Sequence, residues 1–226
     1  MILGKIIVIE GLDGCGKSTQ LEILEKKLPE LGFDCRTVSF PNYDSPACQP
    51  VKMYLGGEFG SNPDDVNAYA ASCLYAIDRF ASFKTDWEDF YNSDGIVVCG
   101  RYVTSNAVHQ CSKLPRSQWE DFSDWLYDFE YNKIGIPAPD AVIFLSMPPE
   151  MSERLLMNRY EGDGNKKDIH EKDIEYQRKC REAAMFSAKH NGWDIIDCTD
   201  GENLRSIEDI SEEILSLVLN TIKGEK

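Results

Sequence analysis

Short apolar runs alternate along the chain with longer segments in which apolar residues recur at helical spacing. The runs predict five strands, at 6–9, 35–40, 95–99, 141–147 and 193–197. The intervening segments predict helices at 17–31, 51–55, 64–91, 117–131, 149–159 and 168–190, with a last helix from about Ile207 to the C-terminus. This order predicts an α/β fold in one domain spanning 1–226, with a five-stranded parallel sheet between two layers of helices.

A glycine-rich turn joins the first predicted strand to the first predicted helix. Residues 11–18 read GLDGCGKS, which fits the phosphate-binding pattern G-x-x-x-x-G-K-[ST]. Glycines permit backbone conformations that a Cβ would block, so successive N–H groups can converge on an anion at the start of the helix. Lys17 would place its charge on the β- and γ-phosphates, and Ser18 would offer a hydroxyl ligand to Mg²⁺.

The turn therefore predicts a P-loop NTPase fold. Its predicted ATP-binding residues are Gly11, Leu12, Asp13, Gly14, Cys15, Gly16, Lys17, Ser18 and Thr19. The alternative is a glycine-rich strand-to-helix turn that binds no ligand.

Charge and cysteine usage narrow the class of protein. Acidic residues outnumber basic ones 39 to 24, for a net charge of −15, which argues against a sequence-independent grip on nucleic acid. The N-terminal residues lack the features of a signal peptide, and no apolar run is long enough to span a membrane. The eight cysteines include no C-x-x-C pair, so neither a zinc site nor a disulfide framework is indicated. We expect a cytoplasmic protein with no nucleic-acid or membrane partner.

Two further segments carry candidate chemistry. Gly100, Arg101 and Tyr102 directly follow the third predicted strand, at the edge where parallel sheets bind ligands. The polar, glycine-rich segment YEGDGNKK lies between two predicted helices and contains Lys166 and Lys167. It fits either a mobile cover over phosphates or a solvated surface loop.

Together these motifs resemble the thymidylate kinase family, within the P-loop nucleoside monophosphate kinases, over nearly the whole chain. The matching segments are EGLDGCGKSTQ, FPNYDSP, YLGGEFG, LYAIDRF, RY-x-x-S-N-A-x-x-Q, P-x-PDAVIFL, PPE and DIHEKD. The resemblance implies phosphoryl transfer from ATP to dTMP, giving dTDP and ADP in dTTP biosynthesis. It also implies a requirement for Mg²⁺ and assembly as a homodimer.

The resemblance also implies which residues bind the acceptor nucleotide. Asp13 matches a carboxylate near the sugar 3′-hydroxyl and the metal. Tyr75 and Arg79 match a pair that stacks on the thymine ring and hydrogen-bonds its carbonyl, and their i, i+4 spacing places them on one helical face. The other matched acceptor residues are Phe40, Pro41, Arg101, Ser105, Asn106 and Gln110, with Arg101 gripping the phosphate. His109 stands where the family tends to have an aromatic residue, and we assign it no catalytic role.

A lid at about 159–168 is implied as the source of a catalytic cation. The phosphate-binding loop offers Gly14 and Cys15 where some family members carry an arginine, so the charge should come from Arg159, Lys166 or Lys167. Arg159 is the best placed of the three. With Lys17, Arg101 and Asp13 it completes the predicted catalytic set.

Two departures from the family pattern bear on activity. Gly100 replaces an aspartate that usually precedes the arginine after the third strand, and Ala184 replaces a common tyrosine. Mg²⁺ could be held adequately by Ser18, phosphates and water, or the chain could bind nucleotides with weak or no turnover. A kinase acting on another pyrimidine nucleotide or nucleoside is a further alternative. We predict a working enzyme.

Overall fold

The computed structural model describes residues 4–159, 161 and 174–224. One parallel sheet has the strand order β2-β3-β1-β4-β5. Its strands are β1 Lys5–Gly11, β2 Cys35–Ser39, β3 Ile96–Gly100, β4 Ala141–Ser146 and β5 Asp194–Asp197. The predicted fold class, with its five strands close to the predicted positions, is confirmed. An antiparallel hairpin that was not predicted, β6 Thr199–Asp200 and β7 Asn203–Leu204, follows β5.

Helices cover both faces of the sheet. In chain order they are α1 Lys17–Glu30, α2 Gln49–Leu55, α3 Ala68–Ser82, α4 Glu88–Asn92, α5 Val103–Cys111, α6 Trp119–Tyr127, α7 Pro149–Arg159, α8 Ile174–Asn191 and α9 Ile207–Lys223. None of them, within the described part of the chain, combines the length and apolar character needed to cross a membrane.

The central strand β1 shows how the two helical layers arise. Its side chains alternate between faces, as the pleat requires. Ile6 and Val8 pack into a core shared with α3, α5, α6 and α8, whereas Ile7 and Ile9 pack into one shared with α1 and α9. All four side chains are fully buried, which explains the run without polar alternation.

Three helix predictions need correction. The single helix predicted over 117–131 is a 3-10 turn at Arg116–Gln118, then α6, then a π-helical turn at Asp128–Ile134. The single helix predicted over 64–91 is instead a 3-10 turn, then α3, a π-helical turn at Phe83–Trp87, and α4. The Asn67 side chain accepts a hydrogen bond from Ala70 N at 2.9 Å, which starts α3 afresh. Helix α5 was not predicted at all. Nearly every one of its residues is buried, so it lacks the one-sided apolar period that identifies a surface helix.

The predicted lid falls almost wholly outside the described residues. Helix α7 is described to Arg159, whose side chain is not described, and α8 is described from Ile174, so the start of the helix predicted over 168–190 also lies outside the described residues. Lys166 and Lys167 lie outside the described residues. The assignment of 1–226 to one domain stays a prediction.

Candidate active site

The turn between β1 and α1 forms an anion-binding loop. Gly14 and Gly16 have φ of 80° and 94°, in the left-handed region that favours glycine. A Cβ on Gly14 would lie 2.6 Å from the Ser152 carbonyl oxygen, so only glycine allows the loop to approach α7 this closely. The first turn of α1 contains no acidic residue. Its N–H groups and dipole therefore stay available to an anion.

Residues 13–19 of this loop line an open cleft of about 1100 Å³. Lys17 Nζ donates to the carbonyl oxygens of Gly11 at 2.9 Å and Leu12 at 2.7 Å, which places the ammonium group over the loop. Gly11 and Leu12 are themselves buried, whereas Ser18 and Thr19 are exposed to the cleft. Cys15 lines the cleft but is only 3% exposed.

The far side of the cleft was missed by sequence reasoning. It combines apolar side chains with a guanidinium group, from Met147, Leu155, Leu204, Arg205 and Ile207. Arg205 is held by the Asp197 carbonyl at 2.8 Å and by Glu213 at 2.9 Å. These residues come from three separate parts of the chain and form no local motif.

A second, smaller pocket of about 60 Å³ adjoins the cleft. The structure brings together here every residue predicted to bind the acceptor: Asp13, Phe40, Pro41, Tyr75, Arg79, Arg101, Ser105, Asn106 and Gln110. His109 lines the pocket as well. Asp13 and Arg101 line both the pocket and the cleft, and so do Phe40, Pro41 and Tyr43 of the loop after β2. The two spaces therefore meet at the ion pair and along this loop.

Arg101 has an unusual backbone conformation. Its φ is 68°, which is uncommon for a residue other than glycine, and its N–H donates to the Ile9 carbonyl at 3.1 Å. Its guanidinium group pairs with Asp13 and lies 3.6 Å from Glu10. Burial alone would lower the pKa of Arg101, but the Asp13 and Glu10 carboxylates raise it above its ordinary value. The guanidinium group is thus permanently charged and held at the junction of the two spaces.

Glu10 is a site residue that sequence reasoning missed. It is fully buried and accepts hydrogen bonds from Thr104 Oγ1 at 2.8 Å and Ser105 Oγ at 2.7 Å. The sequence feature that could have identified Glu10 is its position as a carboxylate near the carboxyl end of an otherwise apolar strand, the edge at which parallel sheets bind ligands. Its contacts fix the first turns of α5 beside Arg101.

Arg79 forms a buried bidentate ion pair with Glu130. Nε lies 2.7 Å from Oε2 and Nη2 lies 2.6 Å from Oε1. Asn106 Nδ2 donates to the same carboxylate at 3.1 Å. Burial lowers the pKa of Arg79, but Glu130 outweighs it and the pKa is raised. Glu130 had no sequence signal, since an acidic residue in a helical segment is usually solvated.

Gln110 is fully buried and lines the same pocket as Arg79. Neither its amide oxygen nor its amide nitrogen has a hydrogen-bond partner among the described residues. An unpaired buried polar group costs about 1–3 kcal/mol. A ligand that offers an adjacent donor and acceptor would therefore bind favourably here.

Helix α3 also holds the loop after β2. Asp78 accepts a hydrogen bond from Asn42 N at 2.8 Å, directly after the cis peptide bond between Phe40 and Pro41. Burial raises the pKa of Asp78. The same helix thus carries Tyr75 and Arg79 and anchors the opposite wall of the pocket.

The two departures from the family pattern have different surroundings. Gly100 ends β3, and a Cβ there would lie 2.4 Å from Leu21 Cδ1 and 3.1 Å from Ser39 Oγ. Leu21 thus occupies the space that a side chain at 100 would need. Ala184 is fully buried, in the apolar core that α8 shares with α5.

Comparisons with known proteins agree on one family. The family profile described as thymidylate kinase matches residues 9–214. A thymidylate kinase of Mycobacterium tuberculosis is 31% identical over 190 residues, 83% of this chain and 87% of that protein. One of Dictyostelium discoideum is 29% identical, over 95% of this chain and 84% of that protein. A solved thymidylate kinase structure from Candida albicans superposes with a TM-score of 0.69 at 22% identity, covering 96% of this chain and 92% of that one, which shows the fold.

Proposed function

The chain belongs to the thymidylate kinase family, and from this we infer that it transfers the γ-phosphoryl group of ATP to dTMP, giving dTDP and ADP. One observation carries the inference: the phosphate-loop cleft and the acceptor pocket meet at Asp13 and Arg101. Phosphoryl transfer depends on in-line positioning and charge neutralisation more than on covalent chemistry. A cationic side chain shared by donor and acceptor spaces supplies both.

The donor phosphates would lie on the N-terminus of α1. The loop N–H groups would bind the phosphate oxygens, and Lys17 would exchange its carbonyl contacts for them. The apolar wall with Arg205 and Ile207 suits a purine ring.

The residues present fit a magnesium ion. Ser18 offers an exposed hydroxyl at the mouth of the loop, and no group of three His, Cys, Asp or Glu side chains within the described ranges could hold a metal alone. Mg²⁺ usually keeps several waters and shares phosphate oxygens, so Ser18 would supply one ligand beside these. When bound, the ion would neutralise charge on the transferring phosphates.

The side chains that line the acceptor pocket suit the groups of a pyrimidine monophosphate, and the pocket of about 60 Å³ would have to widen to admit the whole nucleotide. Described residues use three of the five N–H donors of Arg79, so the group can also donate to a base carbonyl. The unpaired Gln110 amide matches the adjacent N–H and C=O groups of a thymine ring. Tyr75 would stack on the base, Asp13 would accept from the sugar hydroxyl, and Arg101 would bind the phosphate.

Other parts of the proposal rest on the family resemblance. Arg159, Lys166 or Lys167 would supply the catalytic cation over the transferring group, as the predicted lid implies. The product dTDP would feed dTTP synthesis in the cytoplasm.

We also propose a homodimer, through a face of α3. Tyr69, Ile77 and Phe80 lie on this helix and are 44%, 51% and 42% exposed. Among the small residues of this helix, Ala68 and Ala71 are buried within the subunit, whereas Ala70 is exposed and Cys73 is half-buried. We call the exposed apolar side chains of Tyr69, Ile77 and Phe80 the α3 face.

An assay of ADP release tests the function. Purified protein is supplied with ATP and Mg²⁺ and with dTMP, dUMP, CMP or thymidine. We expect the highest kcat/KM with dTMP and at least a hundredfold loss in Arg101→Ala, since a buried charge-assisted contact is lost. Greater activity with thymidine than with dTMP would contradict an acceptor phosphate site. Nucleotide binding without turnover would contradict the enzyme itself.

A further inference from the structure

His109 lies between the acceptor pocket and helix α8. It is 6% exposed and occupies α5. Its Nε2 is 3.0 Å from Arg101 Nη1, and its Nδ1 is 3.5 Å from Cys180 Sγ on α8. One imidazole ring thus connects the arginine at the pocket to a helix that contributes no residue to the described lining.

The chemistry of the partners determines the tautomer. A guanidinium group only donates hydrogen bonds, so Nε2 of His109 must accept, and the ring is neutral with its proton on Nδ1. That N–H donates to Cys180 Sγ. The thiol donates to Ser112 Oγ at 3.5 Å, and the Ser112 hydroxyl donates to the His109 carbonyl at 2.8 Å. Donors and acceptors alternate consistently along this path.

The surroundings hold the path in place. Cys180 is fully buried, and burial raises the pKa of its thiol to about 12, so the S–H donor is retained. Tyr176 lies one turn earlier on α8, and its ring stacks on the imidazole with the two ring centroids 6.2 Å apart. Its hydroxyl donates a hydrogen bond to the His109 carbonyl oxygen at 2.9 Å. The ring is therefore fixed from α8 by two side chains.

A merely space-filling histidine would not need this arrangement. Arg101 has a long side chain that loses rotamer freedom when it is held for a ligand. Asp13 holds Nη2, whereas Nη1 is held by Ser105 at 3.3 Å and by His109 at 3.0 Å. Of the side chains that accept hydrogen bonds from the Arg101 guanidinium group, His109 is the one that also contacts α8.

We propose that His109 is a positioning residue: its neutral imidazole holds Arg101 for the acceptor phosphate, and Cys180 keeps the ring in the tautomer that allows this. The proposal rests on the proposed function in one respect, that Arg101 binds the phosphate of dTMP. It assigns Cys180 an effect on acceptor binding although that residue lines neither pocket.

Kinetics and binding of matched variants test the proposal. Cys180→Ala removes the acceptor for Nδ1–H, whereas Cys180→Ser keeps one. We expect Cys180→Ala to raise the KM and the dissociation constant for dTMP several-fold, with KM for ATP unchanged and Cys180→Ser close to wild type. His109→Leu should cost more, and His109→Gln, whose amide oxygen can replace Nε2, should recover part of the loss.

A double-mutant cycle distinguishes an effect of Cys180 that acts through His109 on Arg101 from a general loss of stability. Adding Cys180→Ala to His109→Leu should bring no further loss of dTMP affinity, because the thiol acts only through the ring. Cys111→Ala, which removes another buried thiol at the C-terminal end of α5, is the control. It should lower the melting temperature without changing dTMP affinity. Additive losses, or an equal loss in the control, would overturn the proposal.

Nitrogen NMR of the three histidines gives a readout that needs no turnover. The signal lost in His109→Leu should show the Nδ1–H tautomer, and an Nε2–H tautomer or an imidazolium would overturn the proposal. If wild type binds dTMP but forms no ADP, the proposed function fails, while the affinities and the tautomer still decide the role of His109. If dTMP does not bind at all, Arg101 does not recognise the phosphate of dTMP, and the proposed role of His109 is overturned together with the proposed function.

Discussion

Arg79 and Glu130 form an ion pair with side chains only 2% and 0% exposed. Removing both charges from water is costly, and such pairs often stabilise a fold no better than apolar residues do. Breaking the pair by removing one partner costs far more, because the other charge remains buried. The pair is thus better explained by what it does to Arg79, whose fork it orients beside Gln110.

Glu130→Gln should weaken acceptor recognition specifically. The amide keeps the shape of Glu130 but loses the charge-assisted contacts, so we expect KM for dTMP to rise on the order of tenfold. KM for ATP should hardly change, as steady-state kinetics will show. Asp128→Asn is the matched control. Asp128 lies two residues before Glu130 and forms an exposed ion pair with Lys133. A similar loss in that variant would argue against a specific role for Glu130.

Gly100→Asp tests whether the missing carboxylate limits the metal site. The added Cβ would overlap Leu21 Cδ1 at 2.4 Å, so the single variant should melt at a lower temperature than wild type. Combining it with Leu21→Ala should relieve the overlap and lower the Mg²⁺ concentration for half-maximal rate, relative to Leu21→Ala alone. An unchanged melting temperature in Gly100→Asp would contradict the overlap. ADP formation by this variant but not by wild type would contradict our expectation of a working enzyme.

At the scale of elements, α5 is the helix on which the proposed acceptor site depends. Its N-terminal turns contact Glu10, and its buried side chains face α3, α6 and α8. Just beyond its C-terminus, Lys113 Nζ donates to the Tyr54 hydroxyl on α2 at 2.8 Å and to the Val66 carbonyl at 3.0 Å. The end of α5 is thereby tied to the segment that leads into α3.

Lys113 should make stability depend on pH in the alkaline range. Burial lowers the pKa of Lys113 to about 8 from 10.5, so between these values the unfolded chain binds more protons than the folded one. The contribution of the neutral Lys113 amine to the free energy of unfolding is therefore fully present above pH 10.5 and is lost as the pH falls through about 8. Urea unfolding should show that the free energy of unfolding of wild type increases relative to that of Lys113→Met as pH rises over this range. A constant or opposite difference would contradict the assignment.

At the scale of the whole molecule, the two apolar clusters fill the space on either side of the sheet, and the α3 face stays outside them. Tyr69 packs its ring against Trp125 at 4.6 Å, which extends this face onto α6. A contiguous patch of exposed apolar side chains is typical of a protein contact, whereas single exposed apolar residues are ordinary. A second copy of the chain is the partner that we propose.

Light scattering during size-exclusion chromatography tests the dimer. Wild type should elute at twice the one-chain mass of 25.6 kDa. Ile77→Glu with Phe80→Glu should give a folded monomer, because burying two unpaired charges at an interface is strongly unfavourable. Leu31→Glu, at a side chain that is 52% exposed beyond the end of α1, is the control and should stay dimeric. A monomeric wild type would refute the proposal.

Local patterns were enough to predict much of the molecule. The strands of the sheet and the phosphate-binding loop follow from short-range rules: a buried strand is a continuous apolar run, and the turn demands glycine at set positions. Resemblance to the family added the acceptor residues, which the structure gathers into one pocket. Helix α5 escaped prediction because a helix that is buried all round has no apolar period.

Only the tertiary structure decided what holds those residues in place. Glu130 meets Arg79 across 51 positions of the sequence, and Cys180 meets His109 across 71. Neither partner carries a local signal, since a lone glutamate in a helix resembles a solvated charge and a lone cysteine resembles core. The sequence determined the sheet and the phosphate loop, because these depend on neighbours along the chain. The fold determined the orientation of Arg79 and Arg101, because Glu130 reaches Arg79 only when helices pack, and Glu10 and Asp13 reach Arg101 only when β1 and β3 pair in the sheet.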